Sequence, residues 1–331
     1  MRILGIETSC DETSAAVVEE TADVSRPWTI RSNVIASQVP IHREWGGVVE
    51  RALDEGQSSW RDLGAVAVTQ GPGLVGSLLV GVAFAKSAAA AAGLPLVAVH
   101  HLAGHVESLV LQNGELPLPA VVLVVSGGHT SLYLVEHAGE YRLLSRTRDD
   151  AAGEAYDKVA KLLGLGYPGG PEIDRIAKSG DDRAIAFPAT RLTHADRNAP
   201  ELKGDLDFSF SGLKTAVLRY VRAREAAASV PVADICASFQ RIVVATLLDR
   251  LFDAARRYQA ASVGIAGGVS ANSRLRAEFA ERGARREIPT FLPSLQLSTD
   301  NAAMIAAAGL RKFRAGFTAS FDLNADAALS L

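Results

Sequence analysis

Two imidazoles at i and i+4 carry the strongest chemical signal in this chain: His101 and His105, within His100-His101-Leu102-Ala103-Gly104-His105. On a helix that spacing places both rings on one face, where they can ligate a single metal ion. Leu102 stands where a zinc protease of the helical His-Glu type needs its general base, which disfavours that hydrolysis. The pair follows a short apolar run, residues 96–99, that reads as a buried strand, and sheets of this class place ligands at such strand ends. A third ligand must come from elsewhere in the chain. Asp300, at an expected helix start, is the carboxylate candidate, with helix capping as its competing role.

Two further stretches repeat one pattern. Ser9-Cys10-Asp11-Glu12-Thr13-Ser14 lies between the apolar runs 3–6 and 15–18, and Ser126-Gly127-Gly128-His129-Thr130-Ser131 between 121–125 and 132–135. Each predicts a strand, a tight polar turn and a return strand. Such a turn is either an ordinary hairpin or a cradle whose N–H groups and hydroxyls face an oxyanion or phosphate. Two copies point to a duplicated α/β unit. Asp11 and Glu12 in the first turn serve turn formation or general-base chemistry. Gly267-Gly268-Val269-Ser270-Ala271-Asn272, after a strand at 262–266, is a weak nucleotide signal by itself. Asp157, Gly170 and Asp174 lie near glycine turns, where carboxylates can hold ribose hydroxyls.

The elements that must position these residues are strands at 30–36, 65–69 and 96–99 alternating with helices, which argues for a mixed or parallel sheet with helices packed on it. The apolar segment 74–92 predicts a buried helix rather than a membrane span, because Lys86 interrupts it and Gly93-Leu94-Pro95 stops it. The chain of 331 residues is 48% hydrophobic and 21% charged, ordinary for a globular protein of about two domains. Its net charge of −3, from 34 Lys+Arg and 37 Asp+Glu, excludes nucleic-acid binding by global charge. Arg274, Arg276, Arg282, Arg285 and Arg286, and then Arg311, Lys312 and Arg314, form local clusters that read as solvated helix faces or as a patch for a polyanion. Two cysteines, Cys10 and Cys236, give no disulfide framework, and Glu7 comes too early for a signal peptide; a cytoplasmic protein is expected. Pro117-Leu118-Pro119 is the clearest linker.

Taken in order, these motifs, with Gly5-Ile6-Glu7-Thr8, Asp150-Ala151-Ala152-Gly153-Glu154-Ala155-Tyr156-Asp157-Lys158, Tyr167-Pro168-Gly169-Gly170-Pro171, Asp207-Phe208-Ser209-Phe210-Ser211-Gly212-Leu213-Lys214-Thr215 and Ser298-Thr299-Asp300-Asn301, resemble the tRNA N6-adenosine threonylcarbamoyltransferase family (the TsaD type, formerly called O-sialoglycoprotein endopeptidase). The resemblance covers nearly the whole chain. It implies an α/β protein with a duplicated actin-like ATPase (ASKHA) fold, its two domains around an interdomain cleft. Residues 1–118 plus 300–331 would form the first domain, with the His pair, and 119–299 the second, with most nucleotide contacts. It implies transfer of threonylcarbamoyl from threonylcarbamoyl-adenylate to N6 of adenosine 37 in tRNAs reading codons that begin with A, releasing AMP. It further implies that His101, His105 and Asp300 hold one divalent metal ion, Fe2+ first and Zn2+ as the alternative. Val124, Val125, Ser126, Gly127, Gly128, Asp157, Gly170, Asp174 and Asn272 would hold the adenylate, or ATP, with Asp11 and Glu12 as the catalytic carboxylates. The implied partners are tRNA, a paralogous actin-like subunit and a small ATPase, with no membrane.

Two stretches depart from the family pattern. Glu50-Arg51-Ala52-Leu53-Asp54-Glu55-Gly56-Gln57 replaces a longer segment beginning Pro-Glu-x-x-Ser-Arg-x-His, near the family's partner surface, and the tail Asp326-Ala327-Ala328-Leu329-Ser330-Leu331 lacks the usual basic-proline ending. Rival classes are a non-catalytic nucleotide-binding scaffold, an actin-like phosphotransferase and, less favoured, a metallopeptidase.

Overall fold

Short apolar runs closed by Gly, Ser or Asn form the strands of this chain, and longer segments with an apolar stripe form its helices. In chain order these are β1 (Arg2–Glu7), β2 (Thr13–Glu20), β3 (Trp28–Ala36), α1 (Val48–Glu55), β4 (Leu63–Gly71), α2 (Val75–Ala92), β5 (Leu96–His100), α3 (His101–Asn113), β6 (Ala120–Val125), β7 (Thr130–Val135), β8 (Arg142–Arg146), α4 (Ala152–Leu162), α5 (Gly169–Ala177), α6 (Ser211–Glu225), α7 (Val232–Arg257), β9 (Ser262–Ala266), α8 (Ser273–Arg285), β10 (Thr290–Phe291), α9 (Leu295–Ser298) and α10 (Ala302–Arg314). The computed structural model describes residues 1–9, 13–36, 47–190, 192, 204–225 and 230–331. Asp11 and Glu12 lie outside the described residues.

Pairing gives two five-stranded sheets on one plan. In the first, of order β3-β2-β1-β4-β5, β1 runs antiparallel to β2 and parallel to β4, β2 antiparallel to β3 and β4 parallel to β5. The second, of order β8-β7-β6-β9-β10, repeats every one of those directions. The chain divides into two compact units: Met1–Leu116 with His137–Tyr141 and Pro293–Leu331, and Pro117–Glu136 with Arg142–Leu292.

In the first unit, β1 alternates strictly. Leu4 and Ile6 join the core under α1 and α2 with Val66, Val68, Val82 and Ala85. Gly5, and with it Ile3 and Glu7, therefore belongs to the opposite face, where α10 packs on β1, β2 and β4. That approach is close because the facing residues are small: a Cβ on Gly5 would sit 2.5 Å from the Ala302 carbonyl oxygen and 2.6 Å from the Ala306 nitrogen. A buried ion pair ties α10 to α3. Arg311 Nε and Nη2 donate to the two oxygens of Glu107 at 2.5 and 2.9 Å, while Trp28 Nε1 and the Tyr141 hydroxyl donate to the same carboxylate at 3.3 and 3.1 Å. In the second unit α7 lies on β6 and β9, its Phe239 edge-on to Tyr156 of α4.

One sequence expectation changes here. α2 is not a buried helix: only 28% of it is buried, since Leu78, Val82, Ala85 and Ala89 face the sheet while Val75, Leu79, Val80 and Phe84 are exposed. Its exposed side is as apolar as the side turned to the sheet, so the apolar run read as uniform. The cationic clusters lie on helix faces, as the sequence favoured, and several of their arginines stand beside acids. Arg274 meets Asp182 and Glu278, Arg282 meets Asp249 and Glu278, Arg285 meets Glu281, and Arg314 meets Glu20. Lys312 donates to the Ala98 carbonyl.

The Gly5 packing yields a stability test. Gly5→Val should destabilise the fold by about 3 kcal/mol, because the new side chain meets helix backbone that cannot step aside. Urea unfolding followed by circular dichroism measures the shift.

Candidate functional site

β5 ends at His100 and α3 begins at His101, so the first ligand candidate sits at the mouth of the parallel strands and His105 follows one turn later. Both are buried, His105 completely. Their rings lie 4.8 Å apart, nearly perpendicular. Asp300 reaches them from the segment before α10: its Oδ1 is 3.6 Å from His101 Nε2 and 3.2 Å from His105 Nε2. The capping role open to Asp300 falls instead to Asn301, whose side chain accepts from the Met304 N–H at 3.1 Å and donates to the Thr299 carbonyl at 2.8 Å.

The donor set suits a divalent transition metal: two imidazoles and a carboxylate whose ligand atoms all fall within 4.8 Å of one another. With bonds of ~2.1 Å, ligands of one ion stand about 3 to 3.5 Å apart, close to the two contacts observed. His105 supplies the sharper observation. Among the described residues, both its ring nitrogens are buried without a hydrogen-bond partner, and Nε2, although 3.2 Å from the Asp300 oxygen, has no hydrogen-bond geometry to it. Burying an unsatisfied nitrogen costs about 1 to 3 kcal/mol, a cost that a bound cation removes.

Behind His101 stands Glu7, a residue that the sequence reading quoted but gave no role. It is 2% exposed. Its carboxylate accepts from Ser9 N–H at 2.5 Å and from the Thr69 hydroxyl at 2.8 Å, and lies 3.1 Å from His101 Nδ1, which also meets Ser9 Oγ at 3.0 Å. Burial alone would raise the Glu7 pKa, but His101 lowers it below the usual carboxylate value. Burial would likewise depress His101, yet the Glu7 and Asp300 charges and the Glu7 hydrogen bond lift it to about 9. Glu7 holds the Nδ1 proton, so Nε2, which faces Asp300, is the nitrogen that would serve a metal ion once the ion displaces its proton. The signal was present in the sequence: a charged residue closing an otherwise apolar strand.

The second unit gathers the remaining candidates. In the turn after β6, Ser126 N–H donates to the His129 carbonyl at 2.8 Å, and His129 N–H to Ser126 Oγ at 3.2 Å. Gly153 at the start of α4 donates to the Ser126 carbonyl at 3.1 Å. Val124 and Val125 are fully buried, so only their backbone is available to a ligand. A Cβ on Gly127, Gly128, Gly170 or Gly268 would meet nothing within 4 Å, whereas one on Gly153 or Gly267 would strike backbone. The first four face open space and the latter two serve packing.

Asp157 Oδ1 accepts from Gly169 N–H at 2.7 Å, which holds the start of α5 and hence Gly170. Asp174 accepts from Gln240 Nε2 at 3.1 Å and from the Ser273 hydroxyl at 2.9 Å. Asn272 donates to Gln240 Oε1 at 2.9 Å and caps α8 through Leu275 N–H. Gln240 and Ser273, absent from the sequence reading, thus join Asp174 to Asn272. Polar side chains of this kind on a long helix carry no periodic mark that would single them out.

A family model described as tRNA N6-adenosine threonylcarbamoyltransferase (TsaD) matches residues 29–307. The chain belongs to that family. A protein of that name from Anaeromyxobacter sp. (strain Fw109-5) is 50% identical over 348 aligned residues, covering 100% of both chains. The protein of the same name from Moorella thermoacetica is 48% identical, covering 98% of this chain and 95% of its own. Among solved structures, T.kodakarensis HypF aligns with a TM-score of 0.66 at 14% identity, over 97% of this chain and 49% of that one. Component A of Acidaminococcus fermentans (R)-2-hydroxyglutaryl-CoA dehydratase aligns at 0.53 and 13% identity, over 94% and 98%. These two likenesses concern the fold alone. With the repeated strand order, the architecture is the duplicated actin-like ATPase (ASKHA) fold, and the chain is a transferase of the tRNA-modifying type.

Glu7 offers the test of the imidazole arrangement. Glu7→Gln should weaken Zn2+ or Co2+ binding by the purified chain about tenfold or more, at temperatures where circular dichroism shows the variant folded, since the amide cannot hold Nδ1–H as a charge. Competition with a chromogenic chelator measures it.

Proposed function

We propose that this chain transfers threonylcarbamoyl from threonylcarbamoyl-adenylate to N6 of adenosine 37 in tRNAs reading codons that begin with A, with AMP as the leaving group. The observation that carries the proposal is the convergence of His101, His105 and Asp300, with an unpartnered buried imidazole, in a chain of this family. These three residues would hold one divalent ion, Fe2+ or Zn2+. Bound there, such an ion supplies Lewis-acid charge toward a carbonyl or phosphate oxygen.

The chain's own residues account for the remaining demands. The N6 lone pair is delocalised into the adenine ring, so the carbamoyl carbon must be held close and its leaving group stabilised. The N–H groups of Gly127 and Gly128 face the departing phosphate, since that of Ser126 is held by the His129 carbonyl, while Asp174, Asn272 and the space beside Gly170 take the nucleoside. As the N6–carbon bond forms and the carbon–oxygen bond to phosphate breaks, one N6 proton must leave. Asp11, or a water that Asp11 and Glu12 hold, accepts it. The work is cytoplasmic.

The partners follow the same reading: tRNA as substrate, with a paralogous actin-like subunit and a small ATPase. For the actin-like subunit the α2 face is the dock. Leu74, Val75, Leu79, Val80 and Phe84 expose an apolar stripe at helical spacing, and contiguous apolar surface of this kind marks an interaction site.

Purified chain, both partners, threonine, bicarbonate, ATP, an adenylate-forming enzyme and unmodified tRNA should yield threonylcarbamoyladenosine by nucleoside mass spectrometry. His101→Ala should lower the yield at least 100-fold, and full activity in that variant would refute the metal reading. Asp11→Asn should slow single-turnover transfer by about 10²-fold or more, and an unchanged rate removes Asp11 as the base. A charge on the exposed stripe, Phe84→Glu, should abolish co-elution with the actin-like subunit while metal content stays native.

A further inference from the structure

The last residues of the chain depart from the family ending, and nothing in the proposed reaction uses them. They are nevertheless bonded along the metal-bearing edge of the first sheet. Lys86 Nζ donates to the Leu323 carbonyl at 3.0 Å, Asp326 N–H donates to the Gln70 carbonyl at 2.9 Å, and Gly73 N–H donates to the Ala327 carbonyl at 3.4 Å. Gln70 lies near the end of β4. The path then reaches His100, the last residue of β5 and the N-cap of α3.

His100 bridges two backbone groups. Its Nε2 is 3.1 Å from the Leu329 carbonyl, and its Nδ1 is 3.1 Å from the Leu102 N–H. A carbonyl only accepts and a peptide N–H only donates, so the pair of contacts is satisfied by one tautomer, with the proton on Nε2 and the lone pair on Nδ1. Imidazole is an uncommon N-cap, and here the tail carbonyl holds it in the orientation that lets it serve as one. The turn so capped begins with His101 and leads directly to His105.

We propose that residues 326–329 form a positioning clamp for the metal-binding helix: the Leu329 carbonyl orients His100, and His100, through its cap on Leu102, aims His101 and His105 at Asp300. The proposal rests on the reading of those three residues as metal ligands. His100 is a positioning residue and touches no substrate.

The test is a double-mutant cycle on metal affinity. Co2+ binding to metal-free protein, followed by its visible absorption bands and by chelator competition, is compared for the full chain and a chain ending at Asn324. Each is made with His100 and with His100→Asn, whose shorter side chain can cap α3 by itself. Truncation should weaken Co2+ binding about tenfold and alter the bands in the His100 chain, and should change affinity less than twofold in the His100→Asn chain. Equal losses in the two backgrounds, or a loss under twofold in both, would overturn the clamp. If the shorter metal-free chain melts more than about 10 °C below the full chain, the same cycle with a chain ending at Ala328, which keeps the Asp326 and Ala327 contacts, decides. A full-length chain that binds no Co2+ would refute the metal reading itself and the clamp with it, whereas tail-independent binding refutes the clamp alone.

Discussion

Glu7 carries a charge into the interior at the end of β1, and the arrangement around it is what makes that tolerable. The Ser9 N–H and the Thr69 hydroxyl donate to it from two neighbouring strand ends, and His101 stands against it from a third. A buried carboxylate facing a buried imidazole is stable only while both remain, because removal of either strands the other in a medium that solvates charge poorly. The same contact holds the proton on Nδ1 of His101 and so turns Nε2 toward Asp300. Strand register, ligand orientation and local charge therefore meet in one hydrogen bond. The period-2 alternation of β1 makes this possible, since it puts Glu7 on the side of the sheet that Gly5 presents to α10.

The duplicated topology has been put to two opposite uses. In both units the first hairpin and the parallel strands beside it end at the same edge of the sheet. The first unit fills that edge with side chains that favour a cation: two imidazoles and two carboxylates, nearly all buried. The second leaves it to backbone and to space, with Gly127, Gly128, Gly170 and Gly268 open above their Cα atoms. Peptide N–H groups suit an anion and carboxylates suit a cation, so the same topology offers sites of opposite electrostatic preference in the two units.

Much of this was legible in residue order. The strands flanking Ser126–Ser131, the helix carrying His101 and His105, and the glycine turn at 267–272 all announce themselves through periodicity and punctuation. Asp300 was legible only as a candidate beside its competing role as a helix cap, because a carboxylate two hundred residues away becomes a neighbour only through α10 packing on β1 and α3. The exposed face of α2 was hidden because its Val75, Leu79, Val80 and Phe84 are as apolar as the residues turned to the sheet, so the sequence shows no polar side. Gln240 and Ser273 were hidden for another reason: their role is to connect two other residues, and connection leaves no spacing pattern. Linear density of arginine left helix face and polyanion patch both open, because it says nothing of the acids, such as Asp182 and Asp249, that the fold brings beside Arg274 and Arg282.

The division of labour between Asp300 and Asn301 shows how finely local capping bears on the chemistry. Had Asp300 been the N-cap of α10, its carboxylate would be committed to the first N–H groups of that helix and turned from the imidazoles. Asn301 takes that position, held further by Asn33 from β3 at 3.5 Å, and Asp300 falls one residue outside the helix. There it remains partly exposed, at 26%, while the two imidazoles are closed off. On the proposed metal reading, Asp300 is the ligand open to solvent and His101 and His105 the ligands closed off from it. An Asp at the neighbouring position would give a sound helix and no site, so the Asp-Asn order, rather than the presence of a carboxylate, is what the chemistry requires.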